Sequence, residues 1–484
     1  MSRKKSAKQA KHSQTRQRRE KKKARKAKKP SKRSHKQDTN RALKQFFGIG
    51  DIFANYQFHG NITWSAMELC KLALLFSFSE KQFITDAFDE TLKRGRQLAI
   101  GTTHTTYQGF MGALTNYGHI FVPLMILRLQ QQMQKLGGEL WEISGFVPIA
   151  FDGSRNSAAR TRSNELELCS SKLRQKQAAA KSKTVIDPKP QAWITLMWHM
   201  GFRLPWNWRL GPSDSSERAH VQEMVENDNF PENTLFVGDA GFVGYDFWMT
   251  MVSRGYHFMV RVGSNVKLIS EIVDFQLTEG GEVLCWPKGK QGQQPPLRLR
   301  LVQVKIGNAE VYLLTSVLSP ARLSVETMAE LYKKRWGIEI EFRGLKQTLN
   351  GQKLRCRNVD RLYTELHWSI LAMAVAELLA VSEQLSNPDR DPNYTPKDRS
   401  LAGTMRALYD CLDDLHTYAL EGEDLFSRLA RAVTDNYERN HSKQARFKPK
   451  VSEKKKKKIK PPEVRPIEKE EREKLQRIDN NTAA

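Results

Sequence analysis

The stretch Tyr-Lys-Lys-Arg-Trp-Gly-Ile-Glu-Ile-Glu-Phe-Arg-Gly-Leu-Lys, from Tyr332 to Lys346, constrains this chain most. Its pattern predicts a helix over about residues 324–350 with a single polar stripe. At about 100° per residue, Tyr332, Arg335, Glu339 and Lys346 fall within an arc of about 60°, whereas Glu341 points the opposite way. A phenol, a guanidinium, a carboxylate and an ammonium on one strip are poorly explained as packing surface. The plain alternative, for any one helix of this kind, is a solvated charged face.

Written as spacing, the four residues read Tyr-x2-Arg-x3-Glu-x6-Lys, with the setting Arg-Trp-x-Ile-Glu around Arg335. This resembles the signature of one branch of bacterial insertion-sequence transposases of the DDE type, and all four positions match. The resemblance implies an α/β fold: a ribonuclease-H-like catalytic domain with a β-rich insertion, preceded by an all-helical domain. It makes Glu339 the third metal-binding carboxylate and requires two earlier aspartates at strand ends.

Two such aspartates are present. The apolar run 146–151 closes on Asp152-Gly153, and the run 234–237 closes on Gly238-Asp239-Ala240-Gly241. Short apolar runs bounded by Asp and Gly read as buried strands meeting a turn. Asp187 and Asp246 are rival acids, but neither ends an apolar run. Taken singly, an aspartate beside glycine is more often a turn residue than a ligand. Asp152, Asp239 and Glu339 are far apart in sequence, so only a shared fold would unite them. Three carboxylates are hard oxygen donors suited to Mg2+ or Mn2+, with two ions expected. Arg335 and Lys346 are suited to holding phosphate oxygens, the first as a fork and the second as a point charge. By resemblance, they and Tyr332 bind the DNA backbone near a flipped base. Trp286 and Tyr312 are candidates for that base's aromatic platform, and both read equally as core.

The rest of the chain divides by composition and period. Residues 1–36 hold 18 Lys and Arg against one acid, and 439–477 hold 16 against six, while 37–438 carries 45 of each sign. The formal charge of +26 therefore sits in two terminal blocks. Residues 1–40 are expected as a disordered basic arm and 440–484 as a basic tail, both attracted to polyphosphate. Helical periodicity marks 43–145 as a helical domain, which the resemblance makes the DNA-binding one, and in it 80–107 is compatible with a helix-turn-helix. The catalytic domain is expected over 146–385. Within it lie strands at 192–199, 202–210 and 257–262, a helix at 215–226, and a β-rich insertion at about 265–319. A long helix follows at 361–385, and a last helical segment at 398–439. Its apolar positions Leu401, Met405, Leu408, Leu412, Leu415 and Tyr418 suit either a dimer contact or a cover for the core.

Five scattered cysteines form no zinc or iron–sulfur spacing and fit a reducing compartment. The apolar runs 72–78 and 368–381 are short or interrupted, so no membrane span is expected. Together with the resemblance, which supplies the activity and the partners, these features lead to the expectation of a cytoplasmic, nucleoid-facing enzyme whose partners are the transposon ends, target DNA and a second copy of itself. The competing readings are a transposase-derived protein that binds or bridges DNA ends without catalysis, and a nuclease without strand transfer.

Overall fold

The computed structural model describes residues 30–483 except 49, 57, 60–61, 63, 102–105, 170–188, 288–293, 308, 350–353 and 435–459. The chain forms two units. One comprises residues up to 128 together with 371–434, and the other comprises 129–370 with the C-terminal residues.

The first unit is helical. Helices Ala66–Ser77, Ile84–Gln97 and Tyr107–Asn116 bury Leu72, Leu74, Leu75, Phe88 and Phe110 among one another. Residues 98–106 lie between the second and third of these, and 102–105 are outside the described residues. The expected basic arm is shorter than composition indicates. Residues 30–34 form a strand paired with Tyr418–Leu420, and His35–Phe47 is a helix. Its Ser34–Gln37 capping box closes the start, and Ala42, Phe46 and Phe47 are buried. Asp38, fully buried, receives Arg33 Nε at 3.1 Å and the Leu425 amide at 3.3 Å. Charge counting drew this helix into the arm because its polar face is basic.

Helix Leu401–Asp413 turns Met405, Leu408 and Leu412 inward, and Leu415 is also buried. Leu408 and Leu412 line a small apolar pocket with Leu74, Leu75 and Phe78, so this face covers its own unit's core.

The second unit is built on ten strands: β1 (Val147–Ser157), β2 (Gln191–His199), β3 (Leu204–Gly211), β4 (Thr234–Gly238), β5 (His257–Val262), β6 (Lys267–Ser270), β7 (Gly281–Cys285), β8 (Leu297–Ile306), β9 (Ala309–Thr315) and β10 (Glu463–Pro466). They form one mixed sheet in the order β10-β6-β7-β8-β9-β5-β4-β1-β2-β3. β1, β4 and β5 run parallel, and the hairpin β2-β3 continues antiparallel from β1. The central strands are buried on both faces, as Ile149, Ala150, Phe151, Leu235, Phe236 and Val237 show. Helices α1 (Glu217–Asn227), α2 (Tyr245–Ser253), α3 (Val325–Lys334), α4 (Gly337–Arg343), α5 (Val359–Ser386) and α6 (Lys469–Ala483) complete the labelled elements.

Residues 267–315 form β6–β9, and β9 pairs with β5, which makes them a lateral extension of the central sheet. Part of the expected basic tail belongs to this extension. β10 adds to the edge strand β6, and Leu475 of α6 packs with Ile269, Leu284 and Trp286. The bidentate ion pair from Arg465 to Glu471, at 2.8 and 2.6 Å, fixes the turn between β10 and α6. An unpaired strand edge is a template for another strand, and here the chain's own C-terminal segment fills it.

The expectation that no segment suits a bilayer is also corrected. Helix Val359–Ser386 is long and apolar enough by composition, with an 18-residue window of mean hydropathy 1.4, and 89% of that window is buried inside the protein. It reads as a core helix.

Candidate active site

Strand register places the first two acids. β1 and β4 pair in parallel from Val147↔Thr234 to Ala150↔Val237. Continuing that register two residues sets Asp152 level with Asp239, on neighbouring strands about 4.8 Å apart. β1 does not stop at Asp152 as the sequence indicates. It runs on to Ser157 against β2, so Asp152 marks the place where β4 ends beside it. Asp152 Oδ1 accepts from the Gly153 amide at 2.9 Å, and Asp239 Oδ1 accepts from the Gly241 amide at 2.7 Å. Asp239 thus sits on a tight, self-bonded turn just past β4, whereas Asp152 makes its local bond within a continuing strand.

The third acid arrives on a helix that is not continuous. The single helix expected over 324–350 is α3, a break at Arg335-Trp336, α4, and a π-turn over Gly344–Thr348. At the break the Ile338 amide donates to Arg335 O at 3.1 Å and the Glu339 amide to Trp336 O at 3.3 Å, the tighter i to i−3 pattern. Gly337 lets the break approach the sheet: a Cβ there would lie 2.3 Å from the Trp198 ring and 2.7 Å from Arg203 Nη1. The uniform turn used to assign one polar face therefore does not hold across residues 335–337. Glu341 nonetheless faces the interior and is 5% exposed.

Asp239 and Glu339 both act on Asp152. Burial raises the Asp152 pKa, and the Asp239 and Glu339 charges add to that, while its backbone hydrogen bond and Arg335 oppose them. Arg335 is buried and places Nη1 3.5 Å from Asp152 Oδ2, a charge contact at the edge of hydrogen bonding. Its Nε has no partner among the described residues. Lys346, on the π-turn, donates from Nζ to Ser154 Oγ at 2.6 Å, and burial lowers its pKa. Asp152 and Ser154 alternate onto the same face of β1, so Arg335 and Lys346 bracket that face two residues apart. Tyr332 is 3% exposed, and its hydroxyl lies within reach of the Arg335 side chain without a well-aligned hydrogen bond. Burial raises its pKa, and Asp239 lies close enough to contribute.

Sequence reasoning missed two residues. Glu217, the first residue of α1, lies over Gly153, and its pKa is raised to about 7 by burial and by the Asp152 and Asp239 charges. Acids in a helix's first turn are commonplace, so nothing in the sequence singles it out. Trp336, at the break, is 52% exposed with the Arg335 guanidinium 5.5 Å from its ring. Trp286 and Tyr312, the aromatics singled out from the sequence, are both buried; Trp286 Nε1 donates to Gln294 O at 2.7 Å. Of the rival acids, Asp246 lies in the first turn of α2 and Asp187 is outside the described residues.

Residues 170–375 match the family model of the transposase DDE domain. The match takes in Asp239 and Glu339 and begins beyond Asp152. A protein of Synechocystis sp. named as a transposase for insertion sequence element IS4SA is 24% identical over 208 residues, 39% of this chain and 57% of the relative. Transposase InsG for insertion sequence element IS4 of Escherichia coli is 24% identical over 216 residues, 41% of this chain and 46% of the relative. The chain thus spans about half the length of the curated relatives it matches. A looser likeness, with a TM-score of 0.40 and 12% identity, is to the piggyBac transposase in a synaptic complex with hairpin DNA, covering 78% of this chain and 80% of that one.

A DDE domain implies dependence on divalent metal in general. Three carboxylates are all-oxygen, hard donors, and the mutual repulsion acting on Asp152 is what a cation would relieve. Among the described residues no three His, Cys, Asp or Glu groups are drawn together as closely as one ion requires. The residues fit a hard divalent ion in donor chemistry, in an arrangement more open than a closed ligand cage.

Proposed function

We propose that this chain is a DDE transposase that cuts DNA at the ends of its own element and joins the resulting 3′-hydroxyls to target DNA. The observation that carries the reading is the meeting of Asp152 and Asp239 by strand register with Glu339 on a helix packed against the same strand. The match to the transposase DDE domain supports it from a separate direction. The strand order β3-β2-β1-β4-β5, in which β2 runs against the other four, supports a ribonuclease-H-like core. On this reading β6–β9 is the β-rich insertion of the branch with the Tyr-x2-Arg-x3-Glu-x6-Lys signature.

Asp152, Asp239 and Glu339 would hold Mg2+ or Mn2+. Two such ions, when bound, activate a water or 3′-hydroxyl and stabilise the leaving oxygen of an in-line displacement at phosphorus. The protein's own groups orient that chemistry. Arg335 restrains Asp152 from one side, and Lys346 releases Ser154 to meet a phosphate oxygen as a point charge. Tyr332 offers a buried hydroxyl beside Arg335 to the same backbone. Trp336, exposed beside these groups, replaces Trp286 and Tyr312 as the aromatic surface for an unstacked base. Residues 1–29 supply sequence-independent phosphate attraction by charge alone. Ends are paired by two copies, a contact for which the inward face of Leu401–Asp413 is not free.

The test is strand cleavage of a duplex carrying the inverted repeats that flank the gene, with full-length protein. Nicking that requires Mg2+ or Mn2+ and is lost in Asp152→Asn is the expected result. Metal-independent nicking, or end binding with no nicking in either metal, would overturn it in favour of a non-catalytic end-binding protein.

A further inference from the structure

We propose that Arg300 is a positioning residue for strand cleavage: from the sheet extension it fixes the start of α3, and with it the place of Tyr332 and Arg335 in the site; this rests on the transposase reading above. The alternating run Leu297-Arg298-Leu299-Arg300-Leu301 turns both arginines to one face of β8. Arg298 behaves as such a pattern indicates, exposed and paired with Glu271 Oε2 at 2.9 Å. Arg300 does not. α3 packs over it and leaves it 4% exposed. It donates from Nη2 to Leu323 O and to Met328 Sδ, the latter at 3.3 Å.

Among the described residues no carboxylate offsets that charge. Glu282, directly across on β7, is exposed and forms no ion pair with Arg300, and the neighbour across on β9 is Thr315. Arg300 Nε is buried without a hydrogen-bond partner. A guanidinium held this way costs stability, and an apolar side chain of similar volume in its place is commonly neutral or better. What the contact gives is position. Leu323 immediately precedes Ser324, whose side chain caps α3 by accepting from the Thr327 amide at 3.2 Å. Arg300 therefore grips the residue before the cap and a residue one turn into the helix, which sets both where α3 starts and how it is rotated about its axis. Met328, Tyr332 and Arg335 follow at i, i+4 and i+7, a single stripe of buried side chains. The Arg335 guanidinium lies 5.4 Å from the centre of the Tyr332 ring and reaches to 3.5 Å from Asp152 Oδ2. Leu323 and Arg335 are separated by about 18 Å of helix, short enough to move as one body, so a slip at the start is felt at the site.

The experiment measures single-turnover cleavage of the end-bearing duplex by full-length protein, with end affinity by gel shift and thermal melting on the same preparations. Wild type is compared with Arg300→Met, Arg300→Lys, Arg335→Lys and the double variant Arg300→Met/Arg335→Lys. Arg300→Met should melt at or above the wild-type temperature and bind ends within about 3-fold, yet cleave about 10- to 100-fold more slowly. Arg300→Lys keeps a donor for Leu323 O and should recover part of that rate. Because Arg300 acts through Arg335, the double variant should be no more than about 3-fold slower than Arg335→Lys alone. Wild-type cleavage by Arg300→Met, or a double variant whose loss is the product of the two single losses, would overturn the proposal and leave the transposase reading standing. If Arg300→Met does not fold, Arg300→Lys alone and combined with Arg335→Lys decides by the same rule. A wild-type protein that does not cleave would overturn the transposase reading, and the proposal with it.

Discussion

The two arms of the candidate site are positioned by different means. Asp152 and Asp239 are set by the register of two adjacent parallel strands, a relation decided within a few buried residues on each strand. Glu339 is set by a helix that breaks at Arg335-Trp336 and presses Gly337 onto Trp198 and Arg203. The sheet arm is therefore robust to its surroundings, whereas the helix arm depends on one close contact between distant parts of the chain. Function should be equally sensitive to both arms, and stability should not.

Equal sensitivity in function gives the largest expected effect. Asp152→Asn, Asp239→Asn and Glu339→Gln should each lower end cleavage by about 10³-fold or more, while duplex binding stays within about 3-fold. Cleavage and gel-shift assays on the same preparations measure both. Residual cleavage in Glu339→Gln alone would show that the helix arm is not part of the centre.

Unequal sensitivity in packing gives the next. Gly337→Ala forces a methyl group against the fully buried Trp198 ring and against Arg203, whose guanidinium lies 5.1 Å over that ring. Overpacking of this kind costs about 1–3 kcal/mol, and a displacement of about 1 Å at Glu339 is enough to lower cleavage about 10²-fold. Gly153→Ala meets the mobile end of Glu217 instead of a ring, so its cost in denaturant unfolding should be smaller. A larger loss for Gly153→Ala would reverse the comparison.

The packing of α5 at His367 onto β3 also has a pH dependence. Trp208 Nε1 on β3 donates to His367 Nδ1 on α5 at 2.9 Å, so this imidazole is a neutral acceptor, and burial pushes its pKa down to about 4. His199, also buried, is pushed down to about 3. Unfolded histidines take up a proton near pH 6.5 and the folded ones resist, so the unfolded chain binds more protons between about pH 6.5 and 4. Stability from this source is complete above about pH 6.5 and falls as pH drops toward 4, by about 3 kcal/mol for His367. Unfolding of wild type and His367→Gln at pH 7.5 and 5 should show a shallower acid loss in the variant. Equal slopes would assign the acid sensitivity elsewhere.

The same contrast explains what the sequence makes legible. The strands expected over 192–199 and 257–262 begin and end within a residue of expectation, because buried strands are continuous apolar runs bounded by turn residues. Asp152 and Asp239 are visible for that reason. The helix break is not, since Arg335, Trp336 and Gly337 satisfy helical periodicity and only Trp198, 139 positions earlier, reveals why the chain must bend. Glu217 is hidden likewise: only the fold lays its carboxylate over Gly153. The segments His35–Phe47 and Glu463–Pro466 escape notice because basic composition masks a few well-spaced apolar residues, Phe46 and Phe47 in one and the neighbouring Leu475 for the other.

The smallest catalytic effect is expected at Glu341, and it sharpens the comparison within a single helical turn. Glu339 and Glu341 are both acids of α4, two positions apart, and about 200° of helical rotation separates them. Glu341 is buried and takes part in an interaction in the interior, whereas Glu339 acts on Asp152. Glu341→Ala should therefore lower unfolding stability by about 1–2 kcal/mol through loss of a buried polar contact. Its cleavage rate, measured at a temperature where the protein remains folded, should stay within about 3-fold of wild type. A folded Glu341→Ala protein as inactive as Glu339→Gln would show that α4 turns a different face to the strands, and the placement of the third carboxylate would have to move with it.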